Sequence, residues 1–316
     1  MKILILYYSQ TGNTQKVARQ VRDGLRSQGN DVTLKFINHA EPQEVLDYDA
    51  VGLGTPVWYE MPPNVRKFVE EMPDLKGKPG FTFITHGTMP DLYFPLAVPR
   101  LSRKGLKMVD WNNWYGNCEI QIFPEPYYTH GHPDTQDLSE AYAWGASLHT
   151  KLAAVLAGDD SNLPPMPMPN MSPMHANAAI DHLGGFHNVH GRLVRDPEKC
   201  LYPKCHICMD NCTMGYIDLE SNRYGNLGNT CDDCHGCTYC EMLCPAGAIR
   251  PATPYEEVAP VGHEHGSALF EMVLGKAEEE GKFRRLIPFT EVGTKTPYYS
   301  VHSKHPRLKA LRFQED

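Results

Sequence analysis

No stretch of the chain approaches the ~18 consecutive apolar residues that a membrane-crossing helix needs. The apolar start, Ile3 to Tyr8, is about half the length of a signal-peptide core, and no cleavage-like region follows it. A soluble, cytoplasmic protein with no membrane span is therefore expected. Basic excess is missing as well. The formal net charge is −8, whereas binding a phosphate backbone needs a concentrated basic face, so nucleic acid is set aside as a partner. The GxGxxG dinucleotide pattern is absent, and no lysine of the P-loop kind follows the first strand. That argues against an NAD(P) unit and against ATP with Mg²⁺. Hydrophobic residues make up 41% of the 316, enough for a packed core and for two domains.

What the chain does have is cysteine in one place. Nine of the ten cysteines lie between Cys200 and Cys244, and only Cys118 lies elsewhere. A disulfide framework is out of place in a chain without an export signal, and tight local clustering points to metal ligation. The strongest run is Cys234-x2-Cys237-x2-Cys240-x3-Cys244-Pro245. Closely spaced thiolates on a tight turn can ligate an iron–sulfur cluster. Upstream, Cys200-x4-Cys205-x2-Cys208-x3-Cys212 has the same tail spacing, with two extra residues after Cys200 and Thr213 where the second run has proline. Cys231 is surplus. Zinc ribbons place two CxxC pairs apart and explain the continuous run poorly.

Residues 1–157 alternate strand-like and helix-like patterns. Strands are expected at Lys2–Tyr8, Asp31–Ile37, Ala50–Gly54, Gly80–Thr85 and Lys107–Tyr115. Helices are expected at Asn13–Gln28, Asn64–Met72, Tyr93–Arg103 and Leu138–Leu156. Five strands with helical crossovers give an α/β fold, an open parallel sheet covered on both faces. Residues 158–195 are expected to be a Pro/Met-rich linker, with Pro164, Pro165, Pro167, Pro169 and Pro173 interleaved with methionines. The cysteine region spans 196–252, and 253–316 holds a helix near Gly266–Glu280 and an extended arm.

The first strand runs into Ser9-Gln10-Thr11-Gly12-Asn13-Thr14 and then a helix. Converging backbone N–H groups, hydroxyls and a helix N-terminus make an anion site. This S-x-T-G-N-T loop resembles the FMN phosphate loop of flavodoxins. So do Thr55-Pro56-Val57-Trp58-Tyr59 after the third strand and Thr85-His86-Gly87-Thr88 after the fourth. The resemblance implies a doubly wound flavodoxin-like domain binding FMN, with Trp58 or Tyr59 stacked on the ring. An insertion at 117–132 departs from it. The cysteine runs resemble bacterial two-cluster ferredoxins, a small α+β domain. That resemblance implies two [4Fe–4S] clusters with crossed ligation, one on Cys200, Cys205, Cys208 and Cys244, the other on Cys212, Cys234, Cys237 and Cys240.

The expected function is electron transfer between FMN and the two clusters, to or from a redox partner protein. The alternative is an FMN-dependent reductase of a small-molecule substrate fed by its own clusters, with Tyr127, His130, His132 and His86 as candidate proton donors. Homo-oligomerisation is left open by the sequence.

Overall fold

The computed structural model describes residues 1–57, 61–88, 90, 93–118, 125–168, 193–213, 215–221, 239–251 and 268–294. These fall into two compact units. The first gathers Met1–Asn117 and Gly131–Asn170, and the second Cys118–His130 and Met171–Phe313.

The first unit is a five-stranded sheet with β1 (Lys2–Tyr7), β2 (Asp31–Phe36), β3 (Ala50–Pro56), β4 (Pro79–His86) and β5 (Lys107–Tyr115). Their order is β2-β1-β3-β4-β5, and every pairing is parallel. Parallel strands need crossovers, supplied here by α1 (Asn13–Ser27), α2 (Pro63–Glu71) and α3 (Tyr93–Arg103), with α4 (Thr135–Leu156) after β5. The right-handed crossover rule puts α1 on one face and α2 and α3 on the other. Because both faces are covered, β1 reads as a continuous apolar run, and Ile3, Leu4, Ile5 and Leu6 are all buried. This is the flavodoxin-like α/β fold. The strand order reverses between β1 and β3, the switch point at which such sheets bind ligands beyond their carboxyl ends.

Two close approaches set the packing. On β3, Gly52 and Gly54 stand beside Phe81 and Phe83 in register, and a Cβ at either glycine would lie 2.3 Å from the neighbouring ring. Those rings meet Trp144 of α4 edge-on, at 5.9 and 6.1 Å. Helices α1 and α4 touch backbone to backbone through Gly24 and Gly145. A Cβ on Gly145 would sit 2.4 Å from the Val21 carbonyl oxygen and 2.8 Å from Val21 Cα. Alanine in an exposed helix interior gains up to about 1 kcal/mol over glycine, whereas overpacking costs about 1–3 kcal/mol. Here the obstacle is main chain, which cannot swing aside, so overpacking wins. Gly145→Ala is expected to lower stability by about 2 kcal/mol, seen as a melting temperature about 4–8 °C lower. An unchanged or raised melting temperature would refute this crossing geometry.

The second unit's described parts include β6 (Leu193–Arg195) paired antiparallel with β7 (Ile249–Pro251), and two short helices, α5 (Ile207–Asp210) and α6 (Tyr239–Leu243). Tyr239, Met242 and Leu243 form a small core with Ile207 packed on it. Residues 268–279 form a further helix, α7.

Three expectations change. The linker expected through 195 ends earlier, because Leu193–Arg195 finds a strand partner in Ile249–Pro251. Helix α4 begins at Thr135 rather than Leu138, because Asp134 caps it and accepts hydrogen bonds from Gln136 N and Asp137 N. The segment 118–130, expected within the first domain, groups with the second unit. There Tyr127 and Tyr128 are buried, and the Tyr128 ring lies 5.7 Å from both Phe270 and Phe289.

Candidate functional site

At the carboxyl edge of the first unit's sheet, the loop after β1 is buried although it is polar: Ser9, Gln10, Asn13 and Thr14 are all inside. Gly12 takes the N-cap position of α1 with φ at +96°, a left-handed conformation that glycine adopts without strain. Ser9 Oγ accepts from Gly12 N at 3.1 Å. No side chain caps α1 and no acidic residue stands in its first turn. Helix α4 is the contrast, since Asp134 and Asp137 form a reciprocal capping box at its start. Among the described residues the buried start of α1 thus has no side-chain cap, and its N–H groups and the positive end of the helix dipole suit a phosphate.

The other loops are tied to this one. Thr14 Oγ1 lies 2.8 Å from Thr85 Oγ1 at the end of β4. Thr85 O accepts from Val57 N, Tyr8 N donates to Gly54 O, and His86 O accepts from Gly116 N. Asn13 Nδ2 donates to Asn117 O at 2.8 Å. Thr55 Oγ1 donates to the Tyr93 hydroxyl at 2.7 Å. Ser9 to Thr14, Thr55 to Val57 and Thr85 to Thr88 are thus brought to one edge. Trp58 and Tyr59 lie outside the described residues.

His86 is buried, its Nε2 2.9 Å from Asn113 Oδ1 and its ring 4.5 Å from that of Tyr115. Burial pushes its pKa down to about 4, the Asn113 hydrogen bond opposes this, and the charge of His132 adds to it. His132 is buried too, with Nδ1 2.6 Å from Asp137 Oδ2. Of the candidate proton donors, His86 and His132 thus belong to the first unit. Tyr127 and His130 belong to the second, where Tyr127 is packed against Tyr128 and Phe270 and His130 is exposed.

In the second unit, Cys200, Cys205, Cys208 and Cys244 line one cavity. The remaining lining is mainly apolar and includes Leu201, Ile207, Leu219 and Ile249. These four cysteines are the set that the ferredoxin resemblance assigns to a single cluster. Cys244 Sγ accepts from Ala248 N at 3.2 Å, and Cys200 Sγ accepts from Arg195 Nη1 at 3.8 Å. Burial pushes the Cys208 thiol up to about 11, and the nearby Cys244 and Cys200 push it further the same way. Sulfurs so crowded cannot all carry charge by themselves, and a cationic centre among them removes that obstacle. The donor set therefore fits an iron–sulfur cluster. Cys212 is not among the cavity's lining residues, Cys240 is described on α6, and Cys231, Cys234 and Cys237 lie outside the described residues.

A repeat that sequence reading missed joins the two cysteine runs. The third cysteine of each run, Cys208 and Cys240, is the second residue of a short helix. The fourth, Cys212 and Cys244, accepts at sulfur from the backbone N–H four residues on, Tyr216 at 3.3 Å and Ala248 at 3.2 Å. Between them, Gly215 and Gly247 each have φ at +60° and donate to the carbonyl of that cysteine. Ile217 and Ile249 follow, both buried. The signal was present as Cys-x-x-Gly-x-Ile, hidden by unlike residues at the intervening positions.

A parallel sheet ordered 2-1-3-4-5, with an uncapped helix start at its switch point, makes the first unit a flavodoxin-like domain. Residues 4–98 match the family model described as flavodoxin domain. The chain is 41% identical over 56 residues to a flavodoxin of Aquifex aeolicus, covering 17% of this chain and 30% of that one. It is 32% identical over 89 residues to a flavodoxin of Clostridium saccharobutylicum, covering 27% and 56%. The chain thus spans between about a third and about a half of the length of these curated relatives. Among solved structures, flavodoxin 1 from Bacillus cereus is similar with a TM-score of 0.40 and 19% identity, over 48% of this chain and 98% of that one. No helix among the described residues is long and apolar enough to cross a membrane.

Proposed function

We propose that this is an electron-transfer protein relaying electrons between FMN and two [4Fe–4S] clusters, to or from a partner redox protein. The observation that carries the reading is the gathering of Cys200, Cys205, Cys208 and Cys244 round one cavity, in the same chain as a flavodoxin-like domain. The second cluster is assigned to Cys212, Cys234, Cys237 and Cys240. The repeated sulfur-accepting turns at Cys212 and Cys244 support two equivalent sites. The matched relatives are flavodoxins, which supports FMN at the loops after β1, β3 and β4.

FMN supplies one- and two-electron chemistry, and a cluster supplies one-electron chemistry. The chain supplies the rest. The start of α1, with the hydroxyls of Ser9, Thr11 and Thr14, binds the phosphate. Thr85 holds the loops together through Thr14 and Val57. Around the first cluster, Ala248 N and Arg195 donate to sulfur and stabilise added negative charge, which favours the reduced state. The apolar lining of the cavity limits water.

Anaerobic purification followed by iron, sulfide and flavin analysis tests the reading. About eight irons, about eight sulfides and about one FMN per chain are expected. Zinc without acid-labile sulfide would overturn the cluster assignment, and protein purified without flavin would overturn the FMN assignment.

A further inference from the structure

The loops at the carboxyl edge of the first unit converge on Thr85 and His86. Thr85 joins Thr14 through its hydroxyl and Val57 through its carbonyl, and His86 O holds Gly116 N. The imidazole of His86, only 5% exposed, therefore sits among the loops assigned to FMN. Its Nε2 faces Asn113 Oδ1, and a carboxamide oxygen only accepts. Nε2 accordingly carries the hydrogen, and Nδ1 carries a lone pair. Nδ1 is buried and has no hydrogen-bond partner among the described residues. Buried polar atoms are nearly always paired, so an unpaired one calls for a role.

Among the described residues, the surroundings of His86 contain one opposing charge. From β5 it meets Asn113 and Tyr115, both neutral at pH 7. From the segment before α4, His132 acts on it unfavourably when charged. Asp137 holds His132 at 2.6 Å, and the same carboxylate oxygen accepts from Asp134 N at 2.8 Å. From α1, uncharged Thr14 meets Thr85, the residue before His86. Burial keeps His86 neutral down to about pH 4. Neutral, protonated on the side facing Asn113 and unpaired on the other, it is a base held in reserve.

We propose that His86 takes up a proton at Nδ1 when the group held by these loops gains negative charge, coupling electron uptake to proton uptake. The proposal rests on the FMN reading. A low-potential reductant such as dithionite delivers the electron, which stays on the bound cofactor. Solvent delivers the proton, which forms a new N–H bond at Nδ1. No bond in the protein breaks, and the summed charge of the site is unchanged. A negative charge gained nearby favours the protonated imidazole and raises the midpoint of such a group. His86 then holds a proton in the reduced protein at a pH where it holds none in the oxidised protein. Asp137 contributes by offsetting the charge of His132.

Redox-difference infrared spectroscopy on the full-length, FMN-containing protein with ¹⁵N-labelled histidine tests this at pH 5.5. Reduction is expected to convert Nε2–H imidazole bands into imidazolium bands that move with the label and vanish in His86→Gln. The flavin midpoint of the wild type should fall by up to 59 mV per pH unit above about pH 4, for one proton taken up per electron, with a flatter line in His86→Gln. Should His86→Gln not retain FMN, Asn113→Leu takes its place. Losing the Nε2 acceptor moves proton uptake to lower pH. Protein that holds FMN but gives no histidine bands on reduction, or a slope unchanged in His86→Gln, overturns the proposal and leaves the FMN reading standing. Protein that holds no FMN overturns both.

Discussion

Cys208→Ser is expected to leave the protein with about four irons per chain, half the wild-type content, and with one reduced-cluster EPR signal in place of two. Serine matches the thiol in shape but is a poor ligand for iron. Cys208 is one of the four cysteines that line the cavity, and both Cys200 and Cys244 push its thiol pKa up. Losing it removes one corner of a four-thiol set and leaves crowded sulfurs without the charge that balanced them. FMN content should be unchanged, since Cys208 belongs to the second unit and the FMN loops belong to the first. Retention of eight irons would transfer the ligand role to another cysteine, with Cys231 the first to examine. Loss of all iron would mean that the two clusters do not assemble independently.

The second large effect is on acid stability. The folded-state pKa of His86 lies at about 4, below the ordinary value of about 6.5 that the unfolded chain restores. Between those values the unfolded state binds more protons, so stability falls as pH falls through that window. A depression of about 2.5 units corresponds to roughly 3 kcal/mol, lost by pH 4 and fully recovered above about pH 6.5. His86→Gln carries no such titration. Its stability should decline less than that of the wild type between pH 7 and 4, by that margin. All four tryptophans, Trp58, Trp111, Trp114 and Trp144, belong to the first unit, so tryptophan fluorescence during urea unfolding follows the right part of the molecule. Parallel pH dependence in the two proteins would show that His86 is not buried in its neutral form.

Much of the first unit was legible because its physics is local. The β1 run is apolar on both faces, and α1 repeats Val17, Val21 and Leu25 at helical spacing, so both elements fall within a residue of their expected ends. Strand β3 runs two residues past its expected end because its pairing with β4 continues to Pro56 and Thr85. The N-terminal turn of α4 was missed because its signal is the capping pair Asp134 and Asp137, not apolar periodicity. For the candidate site, loop chemistry could be read from Ser9 to Thr14, but not the identity of His86's partner. Asn113 lies on a neighbouring strand, and only the register of β4 with β5 brings it close. Burial of Tyr127 and Tyr128 was invisible for the same reason. Their partners Phe270 and Phe289 follow far downstream, and no local pattern announces the pairing.

That pairing makes the gene's reading order differ from the protein's domain order. The chain leaves the first unit after Asn117, adds a piece of the second, and returns at Gly131 before starting the second in earnest. During synthesis, Tyr128 emerges about 140 residues ahead of Phe270, a wait of about 7–28 s at ordinary elongation rates, with its burial site not yet made. The Pro-rich stretch looks like a place to divide the gene, yet a cut there separates Tyr127 and Tyr128 from the residues that cover them. The flavodoxin-like and cysteine-bearing parts are therefore interleaved along the chain.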